Sequence, residues 1–210
     1  MAGEVSKEEV GSVLMQAMMA AKNLRPQRDR LLHLRRRLQR LQAGPAAPDE
    51  DRLGDLAADL FKVYYIGMEA GARMLSVCLE LAQRLPARPT TQPEALARVG
   101  AALFAVKLPE EYHIPRCIEH LVGSRPPHPG GKHDTSSPDG KPRQTTAIDL
   151  GKALDFLDRG CTILSLAVKH VDLAVAVLSR FLDRKELAGL AEFTDKVAYI
   201  SEDGPYPSTD

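Results

Sequence analysis

The chain has 210 residues, 44% hydrophobic and 27% charged, with 28 basic and 28 acidic side chains and no formal net charge. That length buries a sizeable core without disulfides or a structural metal, and the charge balance gives no global pull toward nucleic acid or an acidic substrate. Three widely spaced cysteines, Cys78, Cys117 and Cys161, outline no disulfide framework and fit a reducing compartment. The acidic N-terminal stretch, with Glu4, Glu8 and Glu9, lacks the basic start and apolar run of a secretory signal. Gly3 is misplaced for myristoylation, which needs glycine directly after Met1. An intracellular, cytoplasmic location is expected, with the nucleus left open.

In chain order, the first helix is announced by Ser6 with Glu9, a capping side chain three residues before an acid. Steps of three and four then place Val10, Val13, Ala17, Ala20, Leu24, Gln27, Leu31, Leu34, Leu38 and Leu41 on one stripe, a seven-residue repeat that faces a partner helix. Pro26 predicts a kink or split near Leu24. Gly44–Pro48 reads as a short loop, which makes the next helix an antiparallel neighbour. The second stripe runs Leu53, Leu56, Leu60, Val63, Gly67, Ala70, Met74, Val77 and Leu81. Its small residues Gly67, Ala70, Gly71 and Ala72 lie near Phe61, Tyr64 and Tyr65. Glycine in a helix costs about 1 kcal/mol relative to alanine, so a closely approaching helix is expected there, from within the chain or from a second copy.

Pro86 to Pro93 reads as a second loop, with Thr91 and Glu94 as the next helix start. Pro109 and Pro115 lack the N–H a helix interior needs, which predicts two short helices within Thr91–Gly123. Residues 124–145 are rich in proline and glycine and nearly devoid of apolar side chains, the composition of a flexible loop. A third long stripe follows Thr146 and Asp149: Ala147, Leu150, Leu154, Leu157, Cys161, Leu164, Val168, Val171, Val175, Leu178 and Leu182. Its most apolar part, Cys161 to Leu182, carries Lys169, His170, Asp172 and Arg180, each costly in a bilayer, so no transmembrane segment is expected. Asp183 with Glu186 opens a last helix over Arg184–Ile200, before a polar tail at 202–210. No stretch alternates as a strand does. The expected fold is all-α: one domain over 1–210, an elongated antiparallel bundle of about four main helices plus a short C-terminal one.

The most conspicuous functional candidate is a basic cluster. Arg25, Arg28, Arg30, Arg35, Arg36, Arg37 and Arg40 are opposed only by Asp29. An anionic membrane or polyanion would suit such a face. The register favours another reading: the Gly44–Pro48 turn brings Arg35–Arg40 beside Asp51, Asp55 and Asp59, and flanking charges of opposite sign set helix pairing. No aromatics interleave the cluster, as they do in single-strand binders, so a nucleic-acid partner is not expected. Arg28, Arg30, Arg35, Arg36, Arg37 and Arg40 remain the candidate interaction residues.

Metal and catalytic arrangements are weaker. His113, Cys117 and His120 share a helical face, with His128 and His133 in the following loop, but Pro115 intervenes and no standard zinc spacing is met. Ser165, His170 and Asp172 lie on one helix, where residues five apart do not face one another. Asp149, Asp155 and Asp158 read as exposed or dipole-facing carboxylates. Pro129–Lys132 has no preceding strand to make it a phosphate loop. Cys78 and Cys161 sit on or beside apolar stripes as small core residues. No cofactor, metal or enzymatic activity is expected. The reading that remains is a non-enzymatic protein-interaction or scaffold module, with self-association left open, and with peripheral anionic-membrane or polyanion contact through the Arg25–Arg40 face as the alternative.

Overall fold

A computed structural model describes residues 6–44, 49–85, 91–123 and 148–202. The flexible loop expected at 124–145, the start signal at Thr146, the turn residues 45–48 and the tail beyond Glu202 lie outside them. The described residues are all-α. Helix α1 spans Lys7–Gln42 and opens on a complete capping box: the Ser6 hydroxyl accepts from the Glu8 N–H at 3.2 Å, and the Glu9 carboxylate accepts from the Ser6 N–H at 3.3 Å. Helix α2 (Glu50–Lys62) runs through a π-helical turn, Val63–Met68, directly into α3 (Glu69–Arg84). Helix α4 (Thr91–Leu108) likewise continues through a π turn, Pro109–His113, into α5 (Ile114–Val122). Helix α6 (Leu150–Ser179) is capped by Asp149, whose carboxylate accepts from the Lys152 N–H at 2.9 Å. Helix α7 (Arg184–Glu202) opens on a second reciprocal cap, between Asp183 and Glu186.

Side-chain contacts fix the directions. Arg37 meets Asp59 at 2.9 Å and the Cys78 thiol donates to the Val13 carbonyl at 3.5 Å, so α2–α3 runs antiparallel to α1. Arg35 pairs with Asp158 and Arg25 with Asp172, so α6 also runs antiparallel to α1. Lys7 with Glu186 and Lys22 with Asp195 set α7 parallel to α1. At one end α1, α3, α4 and α6 close a four-helix ring, and at the other α2 and α5 take the places of α3 and α4. The Gln92 side chain donates to the Leu85 carbonyl at 2.6 Å, and the Asp149 N–H donates to the His120 carbonyl at 2.9 Å. These two bonds stitch successive staves together at their ends.

Four details depart from the sequence expectations, each for a physical reason. Pro26 does not split α1. It is exposed, while Leu24 and Leu31 on either side are fully buried in the core, which holds the helix continuous across the missing N–H. Pro109 and Pro115 do not interrupt the helical path either, because the π turn rebonds it five residues apart, the Ile114 N–H donating to the Pro109 carbonyl. Pro93 lies in the first turn of α4, where an absent N–H loses no bond. The fourth departure is the register of the second stave. Its expected stripe is buried as far as Gly67, but beyond it Gly71, Leu75, Cys78 and Ala82 are buried instead of Ala70, Met74, Val77 and Leu81. A π turn takes up an extra residue, so it moves the apolar face one position along the chain and leaves Val77 43% exposed.

Gly67 and Gly71 mark where this stave presses on α1. A Cβ at Gly67 would overlap the Gln27 side chain, and one at Gly71 would overlap Leu24. The close approach expected from the small residues is therefore made within the chain. Gly67→Ala and Gly71→Ala are each expected to lower stability by about 1–3 kcal/mol, as overpacking does. Gly11→Ala and Gly54→Ala, whose Cβ atoms meet nothing within 4 Å, are expected to raise it by up to about 1 kcal/mol. Denaturant titrations of the four variants check both signs.

Candidate interaction surface

The arginine cluster is divided by the geometry of α1. Arg25 reaches Asp172 of α6 at 2.6 Å, Arg35 reaches Asp158 of the same helix, and Arg37 reaches Asp59 of α2. Arg28 folds onto the adjacent Asp29 at 2.8 Å. Arg30, Arg36 and Arg40 are exposed and meet no carboxylate among the described residues. Internal pairing therefore holds for Arg25, Arg28, Arg35 and Arg37; α6 supplies two of their four partners, and among the described residues Asp59 is engaged while Asp51 and Asp55 are not. Each of these pairs stays partly exposed, so its worth is about 0.2–1 kcal/mol.

The histidines and cysteine weighed as metal ligands do not converge. His113 and Cys117 are buried, His120 is half-buried, and among the described residues no group of three His, Cys, Asp or Glu side chains is placed to hold an ion. His128 and His133 lie outside the described residues. Instead, His120 stacks on Phe156 of α6 with centroids 5.6 Å apart, and Tyr112 meets the same ring edge-on at 5.8 Å. His113 lies against α6 where a Cβ at Gly160 would come within 3.5 Å of it. Burial lowers its pKa, favouring the neutral imidazole. Ser165 donates to the Cys161 carbonyl at 2.7 Å and Asp172 is held by Arg25, so these two side chains are engaged apart from each other. Asp155 pairs with Arg159 at 2.8 Å, while Asp149 serves as the α6 cap. Helix α6 is long and apolar enough by composition to cross a membrane; in the bundle its buried face packs on α1, α4 and α5.

Two features escaped the sequence reading. One is a set of buried polar side chains at the π turns. The Gln27 Oε1, Glu110 Oε2 and His113 Nδ1 atoms are buried without a hydrogen-bond partner among the described residues. Lys107 Nζ stands 3.7 Å from Glu110. Burial, then the charges of Glu111 and Glu69, push the Glu110 carboxyl above its ordinary value, which Lys107 partly offsets. The other feature is an exposed aromatic group at the first π turn. Phe61 and Tyr65 are 48% and 55% exposed, their centroids 4.6 Å apart, and Tyr64 adjoins them. On α4, Phe104 is 72% exposed. The available signal was their position off the apolar stripes. Single exposed hydrophobics are ordinary, but adjoining aromatic rings are a feature of recognition surfaces. Against known proteins, the chain matches no family model, no curated protein and no solved structure.

Glu110 gives a pH test. With its folded carboxyl raised above the ordinary 4.5, the unfolded chain loses this proton first as pH rises, so Glu110 lowers stability above that value and not below it. Glu110→Gln is expected to melt higher than the unaltered protein at pH 7, with the difference closing as pH falls toward 4.5; thermal melts across pH check this. The thiols give another. Burial pushes Cys78 and Cys117 up to about 12 and Cys161 to about 11, so a thiol reagent at mildly alkaline pH should label none of them until the protein unfolds.

Proposed function

We propose that the protein is a non-enzymatic interaction module that presents its exposed aromatic side chains to a protein partner. The observation that carries this reading is the Phe61–Tyr65 pair, two rings in contact with each other and about half exposed on a helical support. Aromatic side chains give a partner large contact area at little cost in ordering, and they dominate interface energetics when a partner covers them. The π turn beneath them is pinned to α1 through Gly67 and Gln27, so the rings start from an ordered position. A cytoplasmic setting suits this reading, since its reducing conditions keep three buried thiols unpaired.

The alternative, a peripheral binder of anionic membranes or polyanions through Arg25–Arg40, has less charge at its disposal. Arg25, Arg35 and Arg37 are already neutralised by carboxylates of α6 and α2.

The test compares the unaltered protein with a Phe61→Ser, Tyr65→Ser double variant that is first shown to keep its helicity and melting temperature. Quantitative affinity capture from cells is expected to yield a protein partner whose binding falls at least about tenfold in the variant, the scale of losing interface anchors. No protein captured by the unaltered chain, or one retained equally by the variant, overturns the reading.

A further inference from the structure

A row of positive charge runs along the open side of α1. Arg36 and Arg40 are exposed there with His33, while exposed Arg30, seven residues from Arg37, stands over the groove beside α2; the three arginines meet no carboxylate among the described residues. Alongside, on antiparallel α2, Asp51 and Asp55 are exposed and their carboxylates meet no cation among the described residues. The two rows are held in register by Arg37 and Asp59, paired at 2.9 Å across the groove between the helices. Arg40 lies three residues beyond Arg37, about 4.5 Å along α1, and Asp55 lies four residues from Asp59, about 6 Å along α2 in the same direction. Arg40 and Asp55 therefore stand at nearly the same height, as do Arg36 and Asp59. Arg37 occupies the groove, and Arg36 and Arg40 are rotated about 100° and 60° from it round the helix, toward the open side.

We infer that this face docks on the same face of a second copy of the chain. A two-fold axis parallel to α1, between it and α2, preserves height and exchanges the two rows, so α1 of one copy lies over α2 of the other. Arg40 then faces Asp55 of the partner subunit, and Asp55 faces Arg40 of the partner subunit. Arg36 comes level with Asp59 of the partner subunit, and Asp51 lies one turn beyond Asp55 along the same row. Such a self-complementary contact is the requirement of a closed two-fold dimer. Other occupants fit the charges less well. An anionic membrane would be repelled by Asp29, Asp51 and Asp55, and the large exposed hydrophobics all lie on other elements than α1. A purely acidic peptide would face the same aspartates. The inference goes beyond the aromatic surface, because Phe61 lies six residues from Asp55 and about 120° round α2 from it.

Sedimentation of the full chain tests it. At low ionic strength and about 100 µM, a species of twice the chain's mass is expected, dissociating on dilution or in high salt. Arg36→Glu with Arg40→Glu makes the face acidic, and Asp51→Arg with Asp55→Arg makes it basic. Each double variant alone is expected to dimerise at least about tenfold more weakly, and their equimolar mixture to form a heterodimer, since opposite faces now attract. Arg40→Gln, a milder change, is expected to weaken the dimer without altering the melting temperature of the monomer. A monomer throughout the unaltered protein's concentration range, a dimer indifferent to all these variants, or a mixture that stays monomeric overturns the inference.

Discussion

The buried row of α1, from Val10 to Leu38, is the constraint on which the other helices depend. Leu14, Leu24, Leu31 and Leu38 are fully buried, each contributing about 1.5–3 kcal/mol through removal from water. Helices α3 and α6 pack on opposite flanks of this row, and α7 returns along its first half. Because Leu24 and Leu31 bracket Pro26, the proline sits between two anchored turns and the row stays continuous. The ion pairs of Arg25, Arg35 and Arg37 then act at the edges of packing already determined by the leucines. Their partial exposure leaves them too weak to set it alone.

The two π turns follow from that row. Helix α1 presents Gln27 where the second stave crosses it, and Gly67 leaves room for that side chain. The widened turn rotates α3 by one residue relative to α2, so one continuous stave shows different faces at its two ends. The second π turn does the same between α4 and α5, and the ring of four helices changes members near the middle of the bundle. Polar groups accumulate at this transition, where Gln27, Glu110 and His113 are buried with atoms that find no hydrogen-bond partner among the described residues. An unpaired buried polar atom costs about 1–3 kcal/mol, and π turns recur at functional sites. The exposed aromatic rings stand at the same places: Tyr65 lies in the first π turn with Phe61 just before it, and Tyr112 lies in the second.

Much of the architecture could be read from residue spacing alone. The α1 stripe is buried at every expected position through Leu38, two capping boxes close as their residues require, and the antiparallel pairing of α1 with α2 follows from the short connection between them. These signals are local or periodic, and each repeats many times. The π turns were not legible because a single residue's slip leaves apolar residues available on both candidate faces: Val77 and Cys78, or Met74 and Leu75, serve equally in a periodic count. Only the fit of Gly71 against Leu24 decides between them. The arginine partners were legible in part for a similar reason. The hairpin brought Asp59 to Arg37, whereas Asp158 and Asp172 come from a helix more than a hundred residues away, and no local pattern reports their height beside α1.

That division of the charges also explains why the basic cluster is a poor guide until its surroundings are known. Side chains at Arg35 and Arg37 point to opposite flanks of α1, and each finds a carboxylate on the helix it faces. Arg36 lies between them and faces away from both. Alternate residues of one basic run thus differ in kind: some fasten the bundle to itself, and others project from it. A net charge of zero conceals this arrangement, because arginines of α1 that meet no carboxylate among the described residues stand beside aspartates of α2 that meet no cation among them. Attraction between the two rows within one molecule is limited by the groove that Arg37 and Asp59 already fill. The remaining charge therefore has an orientation, basic on one side of the hairpin and acidic on the other, and such a surface is complementary in charge to one whose rows run in the opposite order.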